Sequence, residues 1–175
     1  LGKYIACICE GGAERAILDL LLENNKLIFE KENLIEEEIL RCRKGKDFEE
    51  RYLKKGFSEK ITVYRVLDSR RENFKLSPAY AKKVDVINVI TAPEIEMLII
   101  LNEGLYSEFK KSGIKPSEFC KAKMKGKEIK SYDFVKAYFS NVDILIYAIY
   151  EYRRVSNVRN GEWTISDLLN REEGK

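Results

Sequence analysis

The chain has 175 residues, 45% hydrophobic and 35% charged, with 32 Lys and Arg against 29 Asp and Glu. That is enough chain for one good core under a heavily charged surface, and a net charge of +3 is too small to name a polyanionic partner by itself. No histidine is present, which excludes Ser-His-Asp and Cys-His catalysis within one chain and leaves acid–base work to carboxylates, Lys or Tyr.

Tyr4 to Cys9 is a short apolar run that ends at Glu10-Gly11-Gly12. Ala13, Ile17, Leu20 and Leu21 then recur at helical spacing, so the opening reads strand, tight glycine turn, helix. Leu27 to Phe29 is a candidate short strand. Leu34 to Arg43 and Asp47 to Lys55 are expected to be charged helices, with Gly56 as a C-cap. Ile61 to Leu67 is the clearest strand, rich in β-branched residues, and it stops at Asp68. A short helix is expected from Ser77-Pro78 to Lys83, then a strand over Val84 to Ile90. Pro93 is expected at the first helical position, with Glu94 and Glu96 in the first turn of a helix reaching about Asn102. Beyond Gly113 the texture becomes helical and basic: a stretch opened by Lys115-Pro116-Ser117, then Tyr132 to Phe139, Val142 to Arg154 and a short terminal helix after Trp163. The alternation predicts an α/β fold, a mostly parallel sheet with helices on both faces, plus a C-terminal helical extension. The expected division is 1–112 for the core and 113–175 for the basic extension packed on it.

The four cysteines, Cys7, Cys9, Cys42 and Cys120, contain no CxxC pair and read as reduced buried thiols. No apolar run is long enough to span a membrane and no signal-peptide pattern is visible, so a cytoplasmic location is expected. Positive charge is clustered: Lys110 to Lys130 holds eight lysines against Glu118 and Glu128. Within it Lys121, Lys123, Lys125 and Lys127 are candidate nucleic-acid contacts, with Phe109, Phe119 and Tyr132 as candidate stacking or core aromatics. Arg70 and Arg71 either bind a phosphate or sit solvated. The aromatic C-terminal helices, with Tyr147, Tyr150 and Tyr152, make a homodimer an option.

In parallel sheets ligands bind outside the carboxyl ends of the strands. Three predicted strands end in acids: Glu10, Asp68, and Glu94 or Glu96. Hard oxygen donors there suit Mg²⁺ or Mn²⁺, which take one or two carboxylates plus water and phosphate oxygens. Each acid also has a structural reading. Glu10, Glu94 and Glu96 could serve helix first turns, and Asp68 a turn or cap. Glu94 and Glu96 are two apart, so only one of them is expected to reach the site.

These motifs carry a resemblance. Ile8-Cys9-Glu10-Gly11 before a helix resembles the opening motif of Toprim domains, in which an apolar strand ends in Glu-Gly. Val66-Leu67-Asp68-Ser69-Arg70 resembles the later Toprim motif, where a strand ends in Asp-x-Asp. The Pro-x-x-Glu of Pro93 to Glu96 is similar to the segment after the next strand in Toprim-like nucleases of phage-defence systems. The resemblance covers about residues 3 to 104. It implies a Toprim-like fold, Glu10 as an acid–base or metal-binding glutamate, Asp68 as a metal ligand, and Glu96 as an added acid. The implied activity is Mg²⁺-dependent phosphodiester chemistry on DNA or RNA. The chain departs from the pattern at Arg70, which stands where the second Asp would be.

Two other classes of function stay open on the sequence alone. One is a binding module that holds nucleic acid or a nucleotide without catalysis, with Arg70 supplying positive charge. The other, ranked last, is a methyltransferase-like domain, because neither Gly-x-Gly-x-x-Gly nor Asn/Asp-Pro-Pro-Tyr is present.

Overall fold

The structure, a computed structural model, describes residues 4–54 and 56–170. Four strands form one all-parallel sheet in the order β2-β1-β3-β4: β1 Ile5–Cys9, β2 Leu40–Arg41, β3 Ile61–Leu67 and β4 Val84–Ile90. Parallel neighbours need crossovers, and the chain supplies them with α1 (Gly12–Glu23), α2 (Gly45–Phe48) and α3 (Pro78–Ala81). Among the described residues five more α-helices come after β4: α4 Met97–Asn102, α5 Tyr106–Ser112, α6 Pro116–Lys123, α7 Tyr132–Tyr138 and α8 Val142–Val155. The molecule is therefore α/β, and no helix among the described residues is long and apolar enough to cross a membrane.

Alternation along the strands sends their side chains to two faces. Cys7, Cys9, Tyr64, Val66 and Val89 lie in one apolar cluster with the buried sides of α1, α4, α6, α7 and α8. Ala6, Ile8, Ile61, Val63 and Val84 lie in a smaller cluster with Phe48, Leu53 and partly buried Phe74. The helices after Gly113 share the larger core with α1: Phe119, Val135, Phe139, Leu145 and Ile149 are all buried in it. Residues 171–175 of the expected extension lie outside the described residues. Tyr152 is buried, while Ile144, Tyr147 and Tyr150 are exposed on α8. All four cysteines are free and buried.

The chain differs from expectation in four segments, the first being 27–29, where the expected strand is a single bridge between Leu27 and Leu169. A helix is predicted over 34–43, yet it turns tightly at Ile35–Glu37, with Glu36 and Glu37 at φ 58° and 55°, and then forms β2. Pairing of Leu40 with Ile8 and Arg41 with Cys9 outweighs local propensity. The helix expected from Asp47 starts at Gly45 and continues as a wider turn over Glu49–Leu53; Lys55 lies outside the described residues. The helix after β4 starts at Met97 rather than Pro93. Residues 92–96 are drawn elsewhere. The Ala92 carbonyl accepts from Tyr152 Oη at 2.5 Å, Glu94 Oε2 accepts from Ser117 N–H at 2.8 Å, and Glu96 meets Lys130.

The loop from Asp68 to Ser77 is pinned against α2. Ser77 N–H donates to Glu49, and the Phe74 ring lies 5.8 Å from that of Phe48. Gly45 sits so close to Lys75 that a Cβ there would overlap the Lys75 carbonyl.

Candidate functional site

A cavity of about 280 Å³ opens at the carboxyl ends of β1 and β3, lined by Glu10, Gly11, Gly12, Glu14, Asp68, Glu96 and Lys130 among others. The sequence of each element puts these groups there. β1 runs out at Cys9, so Glu10 is the first residue past the sheet; β3 runs out at Leu67, which leaves Asp68 exposed at the rim. The glycine turn then does two jobs. A Cβ at position 11 would overlap Glu14 Oε2, so the missing side chain makes room for that carboxyl. A Cβ at position 12 would lie 3.1 Å from Tyr132 N and 3.4 Å from Lys130 O, so the second glycine lets the loop before α7 press against the turn. That loop carries Lys130. Tyr132 Oη to Asp19 at 3.0 Å and Lys136 Nζ to Glu23 at 2.5 Å clamp α7 to α1 and hold it there.

Inside the cavity Glu96 is 2% exposed and its Oε1 lies 3.0 Å from Lys130 Nζ. A carboxylate so buried needs a cation, and Lys130 is the one it has. Loss of hydration works to lower the Lys130 pKa, but Glu96, then Glu94 and Glu14, hold it above the ordinary lysine value. Burial raises Glu14 above the usual carboxylate range, and the nearby charges of Glu96 and Asp68 add to the effect.

Glu10 sits at the junction between this cavity and a second cluster. Its carboxyl shares a hydrogen bond with that of Glu72, from the loop after β3. Two carboxyls in contact require a proton or a cation between them. Burial pushes Glu10 up to about 7, the Glu72 contact pushes in the same direction, and Arg43 and Arg65 oppose it. Glu72 is lowered, first by its hydrogen bond with Glu10 and then by Arg43. Arg43 bridges the pair, 3.5 Å from Glu10 Oε2 and 2.9 Å from Glu72 Oε1. Arg65 projects from the middle of β3, is 3% exposed, and reaches Glu72 at 3.6 Å. It also donates to Asn88 Oδ1 at 3.2 Å and stacks 4.7 Å over the Phe74 ring.

The residues singled out in the sequence thus separate. Glu10, Asp68 and Glu96 line the cavity, whereas Glu94 caps the start of α6 through Ser117. Arg70 is taken up by Glu162, at 2.6 and 3.0 Å, and by the Asn157 carbonyl, which ties the exit of β3 to the C-terminal segment. Arg71 is exposed, with its backbone N–H on Ser69 Oγ. Lys121, Lys123, Lys125 and Lys127 are exposed at the end of α6 and in the loop beyond it. Of these Lys123 pairs with Glu108, and Lys127 lies 5.9 Å from the Phe134 ring. Glu14, Glu72, Arg65 and Lys130 are members of the site that sequence reasoning missed. Arg65 carried a signal, since a charge inside the apolar run ITVYRVL must find a partner.

Among the described residues no group of three or more Cys, Asp or Glu is disposed as a ready-made metal cage. The donors are nevertheless all oxygens. Glu10 Oε1 is buried without a hydrogen-bond donor. A carboxyl pair of this kind fits Mg²⁺ or Mn²⁺ in their usual mode, with one or two carboxylates from the protein and the remainder from water and phosphate. Comparison with protein families, with curated proteins and with solved structures finds no match for the chain.

Proposed function

We propose that this edge carries out Mg²⁺- or Mn²⁺-dependent phosphodiester chemistry on nucleic acid, in the manner the Toprim resemblance implies. The observation that carries the reading is geometric: Glu10 and Asp68 line one cavity at the ends of β1 and β3, and Arg43 reaches both Glu10 and Glu72. The acid absent at position 70 is supplied two residues later, by Glu72. Glu10 and Glu72 would hold the metal, with Asp68 at the rim. When bound, the metal would activate water and offset charge on the phosphodiester. The chain's own groups have separate tasks. Glu10 takes up and gives back a proton near neutral pH. Arg43 orients both carboxyls. Lys130 pairs with Glu96 and places positive charge at the cavity, and the exposed lysines of α6 would meet the nucleic-acid backbone.

The test is Mn²⁺ calorimetry on the wild type, Glu72→Ala and Asp68→Ala, with and without a short oligonucleotide, alongside a cleavage assay on DNA and RNA. Binding in the wild type that is lost in Glu72→Ala, with metal-dependent cleavage, is the expected result. Equal metal binding in all three proteins overturns the proposal. A second reading rests on Arg43, Arg65 and Lys130, which already balance the acids: the cavity then holds nucleic acid without turnover. It predicts binding that weakens steeply with salt and no cleavage.

A further inference from the structure

Residues 68–77 join β3 to α3 with neither helix nor strand of their own, and this loop carries Asp68 and Glu72. Side chains fasten it at two places. Near its far end Ser77 N–H donates to Glu49, and the Phe74 ring lies 5.8 Å from that of Phe48. The other fastening is Arg70, two residues after Asp68 and two before Glu72. Its guanidinium grips the Glu162 carboxylate twice, Nε on Oε1 at 2.6 Å and Nη2 on Oε2 at 3.0 Å, and Nη2 also donates to the Asn157 carbonyl at 3.1 Å. The acceptors are themselves fixed. Glu162 Oε2 takes the Arg159 N–H at 3.0 Å, and Glu162 N–H closes a turn on the Arg159 carbonyl at 3.1 Å. One residue on, the Trp163 carbonyl accepts from Ile90 N–H at 2.7 Å, and the Trp163 ring lies 5.8 Å from that of Tyr64. Arg70 therefore ties the loop to a turn that is built onto the sheet.

We infer that Arg70 is a positioning residue, whose grip on the turn 157–163 sets where the loop places Glu72 relative to Glu10. The inference rests on the reading of these acids as the metal-binding groups. Arg43 lies 2.9 Å from Glu72 and 3.5 Å from Glu10, and two carboxylates gathered round one cation repel each other. The pair cannot draw the loop in by itself, so the backbone under Glu72 has to be held from outside it. Arg43 is 70% exposed, and a solvent-exposed arginine is a weak anchor. Arg65 is buried, but it stands 3.6 Å from Glu72, beyond hydrogen-bond length. The Arg70–Glu162 pair is bidentate, the geometry in which an arginine fixes direction as well as distance. A lysine at position 70 would keep the charge and lose the fork. The same fork commits the side chain, so the edge that faces Glu162 meets a phosphate only if the pair opens. A C-terminal turn outside the cavity lining thus has a hold on one of the acids of the site.

The experiment compares the full chain with Glu162→Ala, Arg70→Lys and the charge swap Arg70→Glu with Glu162→Arg, by amide hydrogen exchange, Mn²⁺ calorimetry and oligonucleotide binding. In each single variant the amides from Ser69 to Glu72 are expected to exchange about ten-fold faster while those of β3 and β4 keep their rates. Mn²⁺ affinity is expected to fall by about ten-fold in the same variants and to recover in part in the charge swap. Loop exchange that stays as in the wild type overturns the inference, and so does exchange that quickens equally in β3 and β4. A looser loop with Mn²⁺ affinity unchanged overturns it too, because the pair then only stabilises the fold. Tighter oligonucleotide binding by Glu162→Ala over an unaltered loop makes Arg70 a phosphate ligand instead. A wild type that takes up no Mn²⁺ sinks the reading of the acids, and loop exchange in the variants then decides the positioning role alone. If Glu162→Ala does not fold, Arg70→Lys carries the test.

Discussion

At Glu96 a buried carboxylate meets a lysine, while at Glu10 a half-buried carboxyl meets another carboxyl. Both groups line one cavity, yet the first has a cation to itself and the second shares its cations with Glu72 and is held up to about 7. The difference comes from where the cations sit. Lys130 reaches its acid on a flexible stem from a loop, so Glu96 has a cation within the chain. Arg43 and Arg65 are shared between two acids, and their positive charge is drawn mainly to Glu72. One half of the site is thereby fixed by its own cation and the other left to respond to its surroundings.

The largest expected effect breaks the fixed half. Lys130→Ala leaves Glu96 buried without a cation and is expected to cost about 2 kcal/mol of stability at neutral pH, less than for a fully buried pair because Lys130 is itself exposed to solvent, read from urea denaturation. Adding Glu96→Gln to that variant should recover most of the loss, because no buried charge then remains. The responsive half should show itself in pH dependence. Glu10 holds its proton up to about 7, against an ordinary value of 4.5. Between those values the folded chain binds a proton that the unfolded chain has released, so stability falls as pH rises through the window. Glu10→Gln is expected to remove that slope, which denaturation midpoints on either side of the window would reveal. The smallest effect sharpens the comparison: Glu72→Gln changes stability by about 1 kcal/mol but takes away the neighbouring charge. The Glu10 carboxyl should then titrate closer to an ordinary glutamate, as followed by NMR of its side-chain carbon.

The parts of this arrangement that were legible in the sequence are those written in consecutive residues. β1, β3 and β4 are β-branched or apolar runs, and two of them end directly in Glu10 and Asp68. β2 was not legible, because Leu40 and Arg41 become a strand only by lying beside Ile8 and Cys9. The choice between Glu94 and Glu96 could not be made from spacing. It depends on Ser117 and Lys130, which come from elements farther along the chain. Lys130 was hidden among the lysines around it, since only packing of the loop against Gly12 brings it to the cavity rim. Glu72 belongs to a loop with no periodicity, and nothing local says that it returns to Glu10.

The loop that carries Glu72 is fastened where Gly45 meets the backbone of Lys75. This contact is a fulcrum. Any side chain at position 45 would push the loop outward, and the displacement would be felt at the far end of the lever, where one proton is divided between two carboxyls. A position with no titratable group and no place in the cavity therefore has authority over its charge, and glycine holds it by being the one residue with nothing to push.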